Sequence, residues 1–128
     1  MRKILLLTLF ILNISIFPAM AEGEVIIDRL TTQQAEDLNI EETNFDRWSE
    51  VMKTNLDGVF LCSQKAIPHL KKTKGNIVNI ASISGLFPQS GSGAYSASKA
   101  GVLQMSRQMA VEWGPQGVRS NAVCPGMI

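Results

Sequence analysis

The chain has 128 residues, 18% of them charged, and its 12 basic side chains are nearly balanced by 11 acidic ones. A chain of that length allows one domain at most and buries only about two-thirds of its unfolded surface. The balanced charge sets up no global field to concentrate a polyanion, so nucleic acid is not suggested as a partner. Cys62 and Cys124 both fall in apolar surroundings and read as buried thiols. With His69 the only histidine, no cluster of thiolates and imidazoles is available to hold a metal.

Residues 1 to 21 differ from all that follows. Arg2 and Lys3 make a short basic start, Ile4 to Phe17 is almost wholly apolar, and Ala19-Met20-Ala21 places small residues at alternating positions. That is the pattern of a cleaved secretory signal, and the apolar run, interrupted by Asn13, is shorter than the roughly 20 residues a membrane span needs. Residues 22 to 43 are polar and acidic, with apolar patches at Val25-Ile26-Ile27 and Leu38-Asn39-Ile40. They are left unassigned, and nothing in them marks a chemistry.

From residue 44 the periodicity becomes clear. Thr43 and Asp46 have the spacing of an acidic capping box, and Phe45, Trp48, Met52, Asn55, Val59, Ala66 and Leu70 recur on one face of a long helix, 44 to 70. Pro68 bends or ends that helix within a turn or so. Asn55 is the one polar member of the stripe, and a buried amide must find partners. Gly75 opens a strand, Asn76 to Ser82, whose branched residues at 77, 78 and 80 predict burial on both faces. A Gly- and Ser-rich loop, 84 to 93, follows. Its Gly91-Ser92-Gly93 is a weak phosphate-cradle signal, because Ser96 stands where the third glycine is needed.

A second helix runs from Ala94 to Trp113, with Tyr95, Lys99, Val102, Ser106, Met109 and Trp113 on one side. Mid-helix Gly101 predicts a close packing contact. Gly114-Pro115 stops the helix, and Gly117 to Val123 reads as a second strand. The order helix, strand, helix, strand is a crossover unit of a parallel sheet. Two parallel strands alone are not a stable fold, so either more strands are supplied elsewhere or the chain is marginal.

Tyr95 and Lys99 leave one helix face a turn apart. A phenol works as acid or base at neutral pH only beside a cation that favours its ionised form, and Lys99 supplies one. Ser82 ends the preceding strand, and in open parallel sheets ligands sit beyond the carboxyl ends of strands. Ser82 and Tyr95 are thus expected to face one small oxygen atom.

Asn55-Leu56-Asp57-Gly58, Asn76 to Gly85, Tyr95-Ser96-Ala97-Ser98-Lys99 and Asn121-Ala122-Val123-Cys124-Pro125-Gly126 together resemble the classical short-chain dehydrogenase/reductase family over residues 42 to 128, most of all its bacterial 3-oxoacyl reductase-type members. The resemblance implies part of a Rossmann-like doubly wound parallel α/β sheet and an NAD- or NADP-dependent interconversion of a carbonyl and a secondary alcohol. It makes Tyr95 the acid or base, Ser82 a hydrogen-bond partner of the reacting oxygen, Lys99 the holder of the nicotinamide ribose and the cation beside the phenol, and Asn55 the holder of a relay water. By the same resemblance Pro125 and Gly126 are expected to lie against the nicotinamide end of the cofactor. The resemblance further implies a homo-oligomer contact through helices 44–70 and 94–113 if the chain folds, no metal, and a cytoplasmic setting, whereas a genuine signal would imply export.

The family's Thr-Gly-x-x-x-Gly-x-Gly turn, the strands after it and the Asn-Asn-Ala-Gly segment are not found in Met1 to Thr43. The chain is therefore expected to carry the catalytic constellation without the adenosine pocket and diphosphate cradle, and to be inactive alone. The other readings are a nonfunctional fragment and an exported, non-catalytic binding or assembly module. A serine hydrolase is disfavoured, since Ser82 lacks nucleophile-elbow glycines and His69 lies on the charged end of a helix.

Overall fold

The computed structural model describes the backbone of two early strands, β1 (Ile14–Phe17) and β2 (Glu24–Arg29), and residues 39–126 in full. The remainder of the signal-like segment lies outside the described residues. A short 3-10 turn, Ile40–Glu42, leads into α1 (Phe45–Met52), a π-helical turn (Lys53–Asp57) and α2 (Gly58–Thr73). Then come β3 (Asn76–Ile80), a 3-10 turn (Ile83–Gly85), α3 (Gly93–Trp113), a 3-10 turn (Gly114–Gln116) and β4 (Arg119–Val123).

The sheet order is β1-β2-β3-β4. β2, β3 and β4 are parallel, with Val25 opposite Ile77 and Ile77 opposite Ser120, and β1 is antiparallel to β2. This is the α/β crossover architecture that the sequence predicts, with one correction. The helix-strand-helix-strand order is preceded by two strands, and β2 falls on the Val25-Ile26-Ile27 patch in the segment left unassigned. The strand partners that two parallel strands require are therefore in part supplied by this chain.

The helices differ from expectation in three places. The N-cap is Asn44, whose side chain accepts from Arg47 N at 2.9 Å, one residue past Thr43. The single long helix is broken by the π turn, a five-residue register change invisible to a pattern built on 3.6 residues per turn. Pro68 sits inside α2, and the helix continues to Thr73. Phe45, at the head of the predicted stripe, is 77% exposed, whereas Asn55, Val59 and Leu70 are buried.

The core gathers between the helices and one sheet face: Val59 and Leu70 of α2, Ile77 of β3, Ala81, Val102 and Leu103 of α3, and Val118. Each fully buried aliphatic side chain of this size stabilises the fold by about 1.5–3 kcal/mol. The face opposite is less covered than the sequence predicts: Val78 and Ile80 are half-buried, and Val123 is exposed. Gly101 makes the predicted close contact, since a Cβ there would lie 2.9 Å from Leu56 Cδ2. Among the described residues no helix is long and apolar enough to cross a membrane.

Candidate active site

The site lies at the carboxyl end of β3. Past Ile80 the ladder to the β4 side continues: Ala81 N donates to Val123 O at 2.8 Å, and Ile83 N donates to Pro125 O at 3.0 Å. Pro125 is thereby drawn beside the turn after β3, and Gly126 lies against the Ile83 side chain. Ser82, buried and in extended backbone, is the N-cap of that turn and accepts from Ser84 N at 3.2 Å through its Oγ. Accepting leaves the hydroxyl proton for another partner.

Gly85 fixes where this turn sits. A Cβ at that position would come within 2.7 Å of the Lys99 carbonyl carbon, so the backbone of the turn rests directly on the backbone of α3. No other residue type permits that approach, and it sets the Ser82 turn against the helix that carries Tyr95 and Lys99.

Lys99 is 4% exposed, and its Nζ donates to Ile80 O, the last carbonyl of β3, at 3.0 Å. The same ammonium stands 5.7 Å from the centroid of the half-buried Tyr95 ring, within cation–π range. The ammonium and the phenol ring are thus held together where Lys99 is almost wholly buried. The one-turn spacing read from the sequence thus becomes a real side-chain pair, pinned to the strand end.

Asn55 enters from the π turn, 8% exposed, and its Nδ2 donates to Ser98 Oγ at 3.0 Å. Ser98, fully buried, donates in turn to Tyr95 O at 2.7 Å. Asn55, Ser98, Tyr95 and Lys99 accordingly form one connected group. Leu56, next to Asn55, fills the notch at Gly101, so the π turn is docked on α3 by an apolar and a polar contact side by side.

Sequence reasoning missed three features: the π turn, Ser98 and Asn39. Ser98 lay inside the quoted Tyr-to-Lys motif, but a serine in a helix carries no signal of its partner. Asn39 lay in the segment judged uninformative. Its Oδ1 accepts from Gly91 N at 3.2 Å and from Ser90 Oγ at 3.5 Å, and the neighbouring Ile40 side chain occupies the space in front of Gly93. The Gly91-Ser92-Gly93 segment is therefore held by Asn39 and Ile40, with Gly91 at φ 80°.

Residues 29–128 match the family model described as short chain dehydrogenase. The match starts before residue 42 and takes in Asn39 and Ile40. Over 87 residues the chain is 47% identical to the meso-2,3-butanediol dehydrogenase of Serratia marcescens, covering 68% of this chain and 35% of that one. Over 98 residues it is 41% identical to the 7alpha-hydroxysteroid dehydrogenase of Bacteroides fragilis, covering 76% of this chain and 38% of that one. Among solved structures, ElxO with NADP bound superposes with a TM-score of 0.75 at 30% identity, covering 82% of this chain and 42% of that one. The 4-hydroxyisoleucine dehydrogenase complexed with NADH and succinate superposes with a TM-score of 0.67 at 35% identity, covering 72% and 44%.

The parallel strands β2, β3 and β4 with their crossover helices form part of a Rossmann-like fold. The chain belongs to the short-chain dehydrogenase family, and it spans about a third of the length of the curated relatives it matches.

Proposed function

We propose that this chain carries the acid-base half of a nicotinamide-dependent oxidoreductase site that interconverts a small secondary alcohol and its carbonyl. The observation that carries the reading is Lys99, buried at the end of β3 with its ammonium 5.7 Å from the Tyr95 ring. A buried lysine held this way has little structural use, since burying an ammonium is costly, and its position beside a phenol suits a reaction in which that phenol gains and loses charge.

The residues present fit the nicotinamide end of a dinucleotide. The donor set of Lys99 ammonium, Tyr95 hydroxyl and Ser82 hydroxyl suits ribose hydroxyls and a reacting carbonyl oxygen, and Pro125 and Gly126 stand beside the Ser82 turn. NAD or NADP supplies or accepts the hydride when bound. In reduction, Tyr95 gives its proton to the oxygen of the substrate, Ser82 donates a hydrogen bond to that oxygen, and Lys99 stabilises the phenolate left behind. Asn55 holds the water through which a proton returns. In oxidation the same groups act in reverse, with Tyr95 as the base.

The diphosphate end is different. Gly91 N, in the Gly- and Ser-rich loop after the Ser82 turn, is taken by Asn39. The isolated chain accordingly binds NADH and NADPH without saturation below the millimolar range and turns over little by itself. A fluorescence titration of the purified chain measures this directly, and tight binding would overturn it. We assign the apolar groove between α2 and α3, lined by Phe60, Ile67, Met105, Met109 and Trp113, to contact with a second copy. The function itself is tested by grafting residues 39–126 in place of the matching stretch of the Serratia enzyme. Nicotinamide-dependent turnover of a diol is expected in the chimera, with Tyr95→Phe lowering kcat by about 10²-fold or more. A chimera that folds, binds cofactor and is indifferent to Y95F would refute the assignment.

A further inference from the structure

The stretch from Gly75 to Ser98 takes in the strand β3, the Ser82 turn, the loop after it and the start of α3, and it contains no Asp, Glu, Lys, Arg or His. The cation that follows it, Lys99, is 4% exposed and reaches back to Ile80 O. The charge tied to the loop from its other end is negative. Asn39, whose side chain accepts from Gly91 N, donates from its backbone N–H to a carboxylate oxygen of Glu42 at 3.1 Å. An anionic group entering beside Ser82 therefore meets no exposed counter-ion on this stretch, and a charge that leaves water unpaired is costly.

Apolar surface stands in the same place. Leu86 and Phe87 are 48% and 68% exposed. They are not a loose tip, because both of their backbone N–H groups donate to Ile83 O at 2.9 Å, and Ile83 follows Ser82 directly. Beyond them Gln89 closes the loop: its side-chain oxygen accepts from Ser84 Oγ at 3.2 Å, and its backbone oxygen accepts from Ser92 Oγ at 2.9 Å. The exposed leucine and phenylalanine are thus carried on the same fixed turn as the Ser82 hydroxyl. Apolar surface held on an ordered segment beside a few polar groups is the make-up of a ligand site.

We infer that the substrate of this site is uncharged and carries an apolar group on one side of its reacting carbon, received by Leu86 and Phe87. This rests on the oxidoreductase reading above and narrows its substrate. The oxygen of the secondary alcohol goes to Tyr95 and Ser82, and one hydrocarbon arm lies along the turn. Hydroxy acids, and alcohols bearing a phosphate or sulfonate, are rejected, because nothing on the turn replaces the water that such groups give up.

The test compares 4-methylpentan-2-ol with 3-hydroxybutyrate, in which a carboxylate replaces an isopropyl group of similar shape, as substrates of the chimera described above. The ratio of kcat/KM is expected to favour the alcohol by about 100-fold or more. Phe87→Ala is expected to lower kcat/KM for the alcohol about tenfold and to leave the hydroxy acid unchanged, and Phe87→Lys to narrow the preference further. A chimera whose Tyr95-dependent turnover is equal on the two compounds, or whose preference ignores both Phe87 variants, would overturn the proposal and leave the oxidoreductase reading standing. Turnover indifferent to Y95F would sink that reading and this proposal with it. Should the chimera not fold, the ¹⁵N-labelled chain itself is titrated with the same two compounds. The Leu86 and Phe87 amide signals are expected to move with the alcohol and not with the hydroxy acid, and the reverse, or no movement with either, would overturn the proposal.

Discussion

Helix α3 carries the same polar device twice, with opposite outcomes. At its N-terminal end Asn55 Nδ2 donates to Ser98 Oγ, which donates to Tyr95 O. Two turns on, Asn79 Nδ2 donates to Ser106 Oγ at 2.8 Å, and Ser106 donates to Val102 O at 2.8 Å. The first relay sits beside the Tyr-Lys pair on a residue that retains some exposure, whereas Asn79 is wholly buried and its Oδ1 has no partner among the described residues. The Asn55 amide docks the π turn on α3 beside the Tyr-Lys pair, while the sealed one on β3 pins the helix to the sheet and leaves an acceptor unmet. The two relays share their chemistry and differ in their position along α3.

The largest change is expected from Gly85→Ala, because its Cβ would meet helix backbone at 2.7 Å and neither side can yield locally. We expect a loss of about 3 kcal/mol in urea unfolding, with the Ser82 turn lifted from α3 and the second relay untouched. Ser106→Ala comes next, at about 1–3 kcal/mol, because it strands the Asn79 NH2 in a dry place where its oxygen is already unmet. Ser98→Ala should cost less stability than Ser106→Ala, and equal losses would erase the distinction between the relays. Asn79→Leu combined with Ser106→Ala removes both partners at once and should recover most of the single-mutant loss, to within about 1 kcal/mol of wild type by the same urea titration.

Smaller still is the effect of pH through Cys62, which lies on α2 and packs against the core. Burial pushes its thiol above the usual 9.0, because the folded state disfavours the thiolate. The thiol of the unfolded chain ionises first as pH rises, so the contribution of Cys62 to stability is unchanged well below pH 9 and becomes unfavourable as the pH climbs through that value. A urea midpoint that drops above pH 9 in wild type but not in Cys62→Ala checks the sign.

Much of the architecture was legible. Branched residues at 77, 78 and 80 between turns gave β3, the 3.6-residue periodicity gave α2 and α3, and Gly101 announced a close contact that Leu56 provides. β2 was missed because three apolar residues in an acidic stretch become a strand only when a neighbour offers its edge. The π turn was missed because a change of helical register leaves no mark in composition. The open face of β3 was missed because residues at 78 and 80 record apolarity and not what covers them.

The sequence by itself determined that Tyr95 and Lys99 share a helix face and that Ser82 follows a strand, since spacing and local periodicity are properties of the backbone geometry each segment adopts alone. Only tertiary structure decided that Gly85 rests on Lys99, that Lys99 reaches Ile80, and that Ser98 receives Asn55 from 43 residues away. Those contacts join segments distant in the chain, and the direction of a hydrogen bond exists only once donor and acceptor have been brought together and water has been excluded.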